Sequence, residues 1–260
     1  IKAKGGILTG NLELSQKHKE SVMKVKGKLN VKNGTLEYDD FDGNIENIDA
    51  VIDMQKDDIS VDAKTSIESH PVTFKMNYSI PKHNIDMKLT TDNVPFKEIA
   101  RYKLIKNSNV KANGNVSGEL NAKINVQNKE VALDGKFSSS QITIANYRFR
   151  DLKTSLKMSR EQILTLKNTS FHFDETISGF KVKNDVAVPK FTYNVKEKHG
   201  NGNYVITNRG SDYSIGQITG TASINKENII KGDFTSRELA GNYTINPKEQ
   251  QMNVNATGKD

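Results

Sequence analysis

Between Val110 and Val126 the chain reads VKANGNVSGELNAKINV, an alternation without a break. Val110, Ala112, Gly114, Val116, Gly118, Leu120, Ala122, Ile124 and Val126 are apolar or glycine, and every residue between them is polar. Side chains along a strand point to opposite faces in turn, so this spacing predicts a strand with one dry and one wet face. At ~3.3 Å per residue the run would extend roughly 55 Å, far beyond an ordinary strand. A helix would scatter the lysines over the apolar side. What covers the dry face therefore decides both fold and function.

The same pattern fills the rest of the chain. Met23 to Lys32 places Met23, Val25, Gly27, Leu29 and Val31 on one face, and Asn33-Gly34 predicts a tight hairpin turn back into Leu36 and Tyr38. Next come Ile48, Ala50, Ile52 and Met54, then Ile59, Val61, Ala63 and Ile67. Val72, Phe74, Met76, Tyr78 and Ile80 follow, then Ile85, Met87 and Leu89. Turn signals at roughly 8–12 residue intervals predict a meander of antiparallel strands. One helix is expected in FKEIARYKLI, with Asp92-Asn93 as caps, Pro95 in the first turn, and Phe96, Ile99, Ala100 and Leu104 on one face as a plug at the sheet end. The alternation resumes at Val131, Leu133, Gly135 and Phe137 and runs on to Met252 and Val254.

Two stretches are loosely alike: GKLNVKNGTLEYDDFDGNIENIDAVIDM from Gly27 and GKFSSSQITIANYRFRDLKTSLKM from Gly135, with a fainter GTASI from Gly220. The expected organisation is one elongated segment over 1–260, built of repeated units at about 22–107 and 108–217 and a partial third at 218–260. Both ends fall within the pattern, as in an internal piece of a longer protein.

Composition narrows the function. An apolar fraction of 35% is what half-wetted sheets require, since every second strand residue faces water. No run approaches the ~18–20 apolar residues of a membrane-crossing helix. The net charge of +7 is spread over the wet faces without an arginine cluster or an aromatic platform, which argues for solubility and against nucleic acid. A weak attraction to phosphate-bearing headgroups remains compatible with it. There is no cysteine, hence no disulfide or thiolate metal site. His18, His70, His83, His172 and His199 are isolated, without metal-ligand pairs or nearby carboxylate spacing. No nucleophile elbow, phosphate loop or carboxylate pair stands out, so neither an enzyme nor a cofactor is expected.

A dry face must be buried against a second layer, itself or a ligand, and helices are too few to do it. Glycines on that face, at Gly27, Gly114, Gly118, Gly135, Gly220 and Gly241, remove packing volume, permit bending and leave room for another body. Periodicity leaves two architectures open: a curled sheet lining an apolar trough, and a filled sandwich. An acyl chain suits the trough. At ~0.8 kcal/mol per buried CH₂, about fourteen methylenes supply on the order of 11 kcal/mol without a polar contact.

From Val25 to Leu166 the sequence resembles the TamB and AsmA-like family: the G-x-L-x-V-x-N-G-T-L opening at Gly27, the following DDISVDAKTSIESHPVTFKMNYSI, the VPFKEI helix and the alternating V-x-G-x-L run. The resemblance implies an all-β fold, a long curved antiparallel sheet folded into an open, apolar-lined groove with one short helix. It implies phospholipid transport between membranes in support of outer-membrane assembly, in a periplasmic protein anchored to the inner membrane. The implied partners are phospholipid acyl chains and a TamA-like outer-membrane barrel, and no nucleic acid. The groove lining expected on this reading is Val110, Val116, Leu120, Ile124 and Val126, with Ile52, Met54, Val61, Phe74, Met76, Ile85, Met87, Leu89, Leu133 and Phe137. Its rival is a structural or adhesive β-sandwich or solenoid whose core is filled by its own side chains.

Overall fold

Alternating residues become strands only when neighbours satisfy their backbone groups, and short polar turns deliver those neighbours in chain order. The computed structural model of the chain describes residues 2–16, 24–39, 41–67, 69–101, 112–144, 147–177, 179–212, 216–249 and 251–259. Met23, Asp40, Leu104, Val110 and His18 lie outside the described residues. Sixteen strands follow one another in a single antiparallel sheet whose spatial order is the order of the sequence. The sheet is not closed into a barrel.

The chain divides into two units, Ile1–Leu133 and Asp134–Asp260. The first holds β1 (Lys2–Ser15), β2 (Lys24–Glu37), β3 (Asn44–Met54), β4 (Asp58–Ile67), β5 (His70–Ser79), β6 (Asn84–Pro95), α1 (Phe96–Ile99) and β7 (Ala112–Asn125). The boundary falls within β8 (Glu130–Ile144). The second unit continues with β9 (Tyr147–Met158), β10 (Ile163–Ile177), β11 (Phe180–Asn194), β12 (His199–Asn208), β13 (Ile218–Ile224), β14 (Ile230–Thr235), β15 (Leu239–Asn246) and β16 (Gln251–Gly258).

Three local expectations are corrected. Asn33-Gly34 does not turn the chain: β2 runs through it, and Asn33, at φ 50°, sits in a bulge between Val31 and Gly34. The carboxylate of Asp49 on β3 holds that bulge, accepting from the Asn33 N–H at 3.1 Å and from Lys32 Nζ at 2.7 Å. A positive φ that suits a hairpin suits a bulge equally well. The helix is shorter than its periodicity suggests, a single turn with Pro95 as its N-cap and no side-chain cap. Asp92 instead accepts a bond from Ser117 Oγ, and Ser117 Oγ accepts the N–H of Asn93, pinning a β6 bulge against β7. The long alternating strand is Ala112–Asn125, so Val126 lies just beyond it, 48% exposed, its N–H donating to the His83 carbonyl at 2.9 Å.

Buried apolar side chains are few in each unit among the described residues. The buried apolar side chains there are Ile48, Val72, Val94 and Ala122 in the first unit and Ile142 in the second, with Val94 the deepest at 1% exposed.

Candidate functional site

Register turns the alternation into rows. In the first unit Met54, Ile59, Tyr78, Ile85 and Ile124 are successive cross-strand partners on β3 to β7. Ile52, Val61, Met76, Met87 and Ala122 form a second row. Ala50, Ala63, Phe74, Leu89 and Leu120 form a third. Directly opposed side chains on one face touch, and each such pair adds roughly 0.2–1 kcal/mol. Rows two residues apart stand ~6.6 Å from each other and strands ~4.8 Å, so the band measures about 13 by 19 Å. Its large side chains are mostly half-buried, and Leu89 is 39% exposed. The band is contiguous and partly open.

Ten of the residues expected to line a groove stand in these rows: Ile52, Met54, Val61, Phe74, Met76, Ile85, Met87, Leu89, Leu120 and Ile124. Val116 pairs with Val94, beyond the β6 bulge, and Val126 has left the strand. Leu133 and Phe137 are both half-buried on β8, on either side of the unit boundary. Ile59 and Tyr78 join the band without having been singled out. Their strands carry the same alternation, but only register shows that they face Met54 and Ile85.

One end of the band is sealed. Gly34, Ile48, Val72, Thr91 and Gly118 continue the pattern one step further, and here Ile48 and Val72 are buried, as is Val94 beside them. The α1 turn packs on β6 and β7 at this end. Arg101, just after α1, donates Nε–H to the Asp42 carbonyl at 2.7 Å and accepts the Asp42 N–H on its own carbonyl at 2.9 Å. Its guanidinium also pairs with Glu98 at 2.9 Å and lies 4.6 Å from the Phe41 ring. The β2–β3 turn and the end of α1 are thereby clasped together across 59 positions of sequence.

The opposite face is charged. Lys75–Asp62 at 3.2 Å, Lys88–Glu119 at 2.8 Å and Lys32–Asp49 at 2.7 Å are exposed cross-strand pairs. A hollow of about 600 Å³ on this face is a furrow between two side-chain rows, with Lys28, Asp53, Asp86 and Lys123 on one wall and Asp62 and Lys88 on the other. Val51, Val61, Met76, Met87 and Ala122 also contribute to its lining, between the two charged walls. Apolar and polar functions are segregated by face.

In the second unit the rows run through glycine. Tyr193 faces Gly200, Phe191 faces Gly202, Tyr204 faces Gly220, Tyr243 faces Gly232, and Phe234 faces Gly241. In each pair the ring occupies the space a β-carbon on the glycine would need. The room expected above Gly220 and Gly241 is therefore taken by Tyr204 and Phe234, an arrangement in which aromatic rings cover bare backbone. Phe149, Phe171 and Phe173 cluster nearby, with Phe149 edge-on to Phe171 at 5.2 Å.

The isolation of His172 in the sequence does not survive folding. Antiparallel register sets its Nδ1 2.6 Å from Asp185 and its Nε2 3.6 Å from Asp151. Arg209 bridges Asp185 at 2.9 Å and Asp174 at 2.5 Å, and Arg150 also pairs with Asp174. No group of residues suited to a metal ion occurs among the described residues. No family model, no curated protein and no solved structure matches the chain.

Proposed function

We propose that the apolar face of the first unit is a lipid-conducting surface, holding phospholipid acyl chains in a groove while headgroups stay in water. The observation that carries this reading is the band of three in-register apolar rows that no second layer covers among the described residues. Hydrocarbon needs no polar contact, and at ~0.8 kcal/mol per buried CH₂ even a half-open face holds an acyl chain firmly. The rows cross the strands, so a chain lying along a row slides from strand to strand over equivalent side chains. Together with the resemblance to TamB and AsmA-like proteins, this favours a periplasmic segment of a longer, inner-membrane-anchored protein that passes phospholipid towards an outer-membrane barrel partner.

A charge set into the band tests it. Leu120→Arg or Val61→Asp is expected to weaken binding of a pyrene-labelled phospholipid tenfold or more while leaving the β-sheet circular dichroism unchanged. Equal binding by these variants overturns the reading. A second reading, a structural β-protein whose face is covered by its own side chains, draws on the ring-over-glycine packing of the second unit. On that reading the probe does not bind the unaltered protein.

A further inference from the structure

We propose that Met76 and Met87 form an oxidation-sensitive element in the floor of the guest-binding band, so that a hydroperoxide switches off acyl-chain binding. The inference rests on the lipid-binding reading above and adds a modification site to it. The two methionines are direct cross-strand partners at the centre of the middle row, with Val61 and Ala122 on either side. Met54 stands in the neighbouring row, opposite Ile59. All three are only partly buried on the apolar face, which leaves each sulfur within reach of a small oxidant in the absence of a guest. The second unit is built otherwise: rigid rings cover its glycines, Met158 lies at its β9 end, and Met252 stands on the edge strand β16, 63% exposed.

Thioethers suit a surface that must fit many acyl conformations, because methionine is unbranched and polarisable. The same sulfur is the weak point. It attacks the outer oxygen of a hydroperoxide, the O–O bond breaks and an S–O bond forms. Sulfur loses two electrons to become the sulfoxide, and the hydroperoxide is reduced to water or, for a lipid hydroperoxide, to the alcohol. The product carries a strong dipole where an acyl chain must lie. Burying that dipole without a hydrogen-bond partner is unfavourable, and two adjacent sulfoxides double the effect.

The full chain is treated with hydrogen peroxide until mass spectrometry finds sulfoxide at Met76 and Met87, and binding of a pyrene-labelled phosphatidylcholine is measured before and after. Binding is expected to fall at least tenfold and to return after treatment with methionine sulfoxide reductases. In the triple variant Met54→Leu, Met76→Leu, Met87→Leu, whatever its starting affinity, peroxide is expected to leave binding where it stood before treatment, whereas Met252→Leu leaves the sensitivity in place. Prior loading with the phospholipid is expected to slow oxidation at Met76 and Met87 but not at Met252. Undiminished binding by the oxidised protein, or an equal loss in the triple variant, overturns the switch while leaving the lipid reading intact. Failure of the untreated protein to bind the probe overturns both.

Discussion

At Gly232 a methyl group has nowhere to go: the Thr221 carbonyl lies on one side and the Tyr243 ring on the other. Gly232→Ala is expected to destabilise the second unit by about 1–3 kcal/mol, the usual penalty of overpacking, read as a fall in thermal midpoint. An unchanged midpoint would mean that the ring is not seated over the glycine. The tyrosines report on the same packing. Burial first, then a hydrogen bond with Tyr243 and nearby charge, hold the Tyr204 phenol above its usual value. A raised phenol contributes stability fully below about pH 10, and that contribution is lost as pH climbs through the folded value. An alkaline absorbance titration is expected to show a phenol ionising later than free tyrosine, and Tyr243→Phe to bring it back towards the ordinary value. Asp49 runs the other way: Lys32 and the Asn33 N–H hold it below the usual carboxylate range, so its support of the β2 bulge is present at neutral pH and lost on acidification.

Among the elements, the strands were legible because period two admits no rival, and most candidate lining residues sit on them as the alternation requires. What the sequence hid was pairing. Asn33-Gly34 reads equally as a turn or a bulge, and only Asp49, sixteen residues on, selects the bulge. His172 looks solitary until β9 and β11 bring Asp151 and Asp185 beside it. Gly220 and Gly241 look like vacancies because the rings that fill them belong to other strands. The α1 turn is held by a long-range side chain, Arg101. Removing the guanidinium in Arg101→Ala is expected to cost about 1–2 kcal/mol and to raise hydrogen exchange in residues 96–101 and 41–43. Exchange confined to its normal rate would show that α1 stays in place without the clasp.

At the scale of the molecule, the sheet keeps its faces apart: hydrocarbon on one side of β3 to β7, ion pairs on the other. The exposed ion pairs each contribute little and chiefly keep the wet face wet. The apolar rows are held by cross-strand contacts but not enclosed, and that unsatisfied face is the basis of the functional proposal. The most direct test is photocrosslinking with a phospholipid carrying a diazirine on its acyl chain, mapped by peptide mass spectrometry. The account predicts adducts on Ile52, Val61, Met76, Met87 and Leu120, and none on Ser60, Lys75, Asp86 or Lys88 of the opposite face. Adducts divided evenly between the two faces, or absent from the apolar rows, would contradict it.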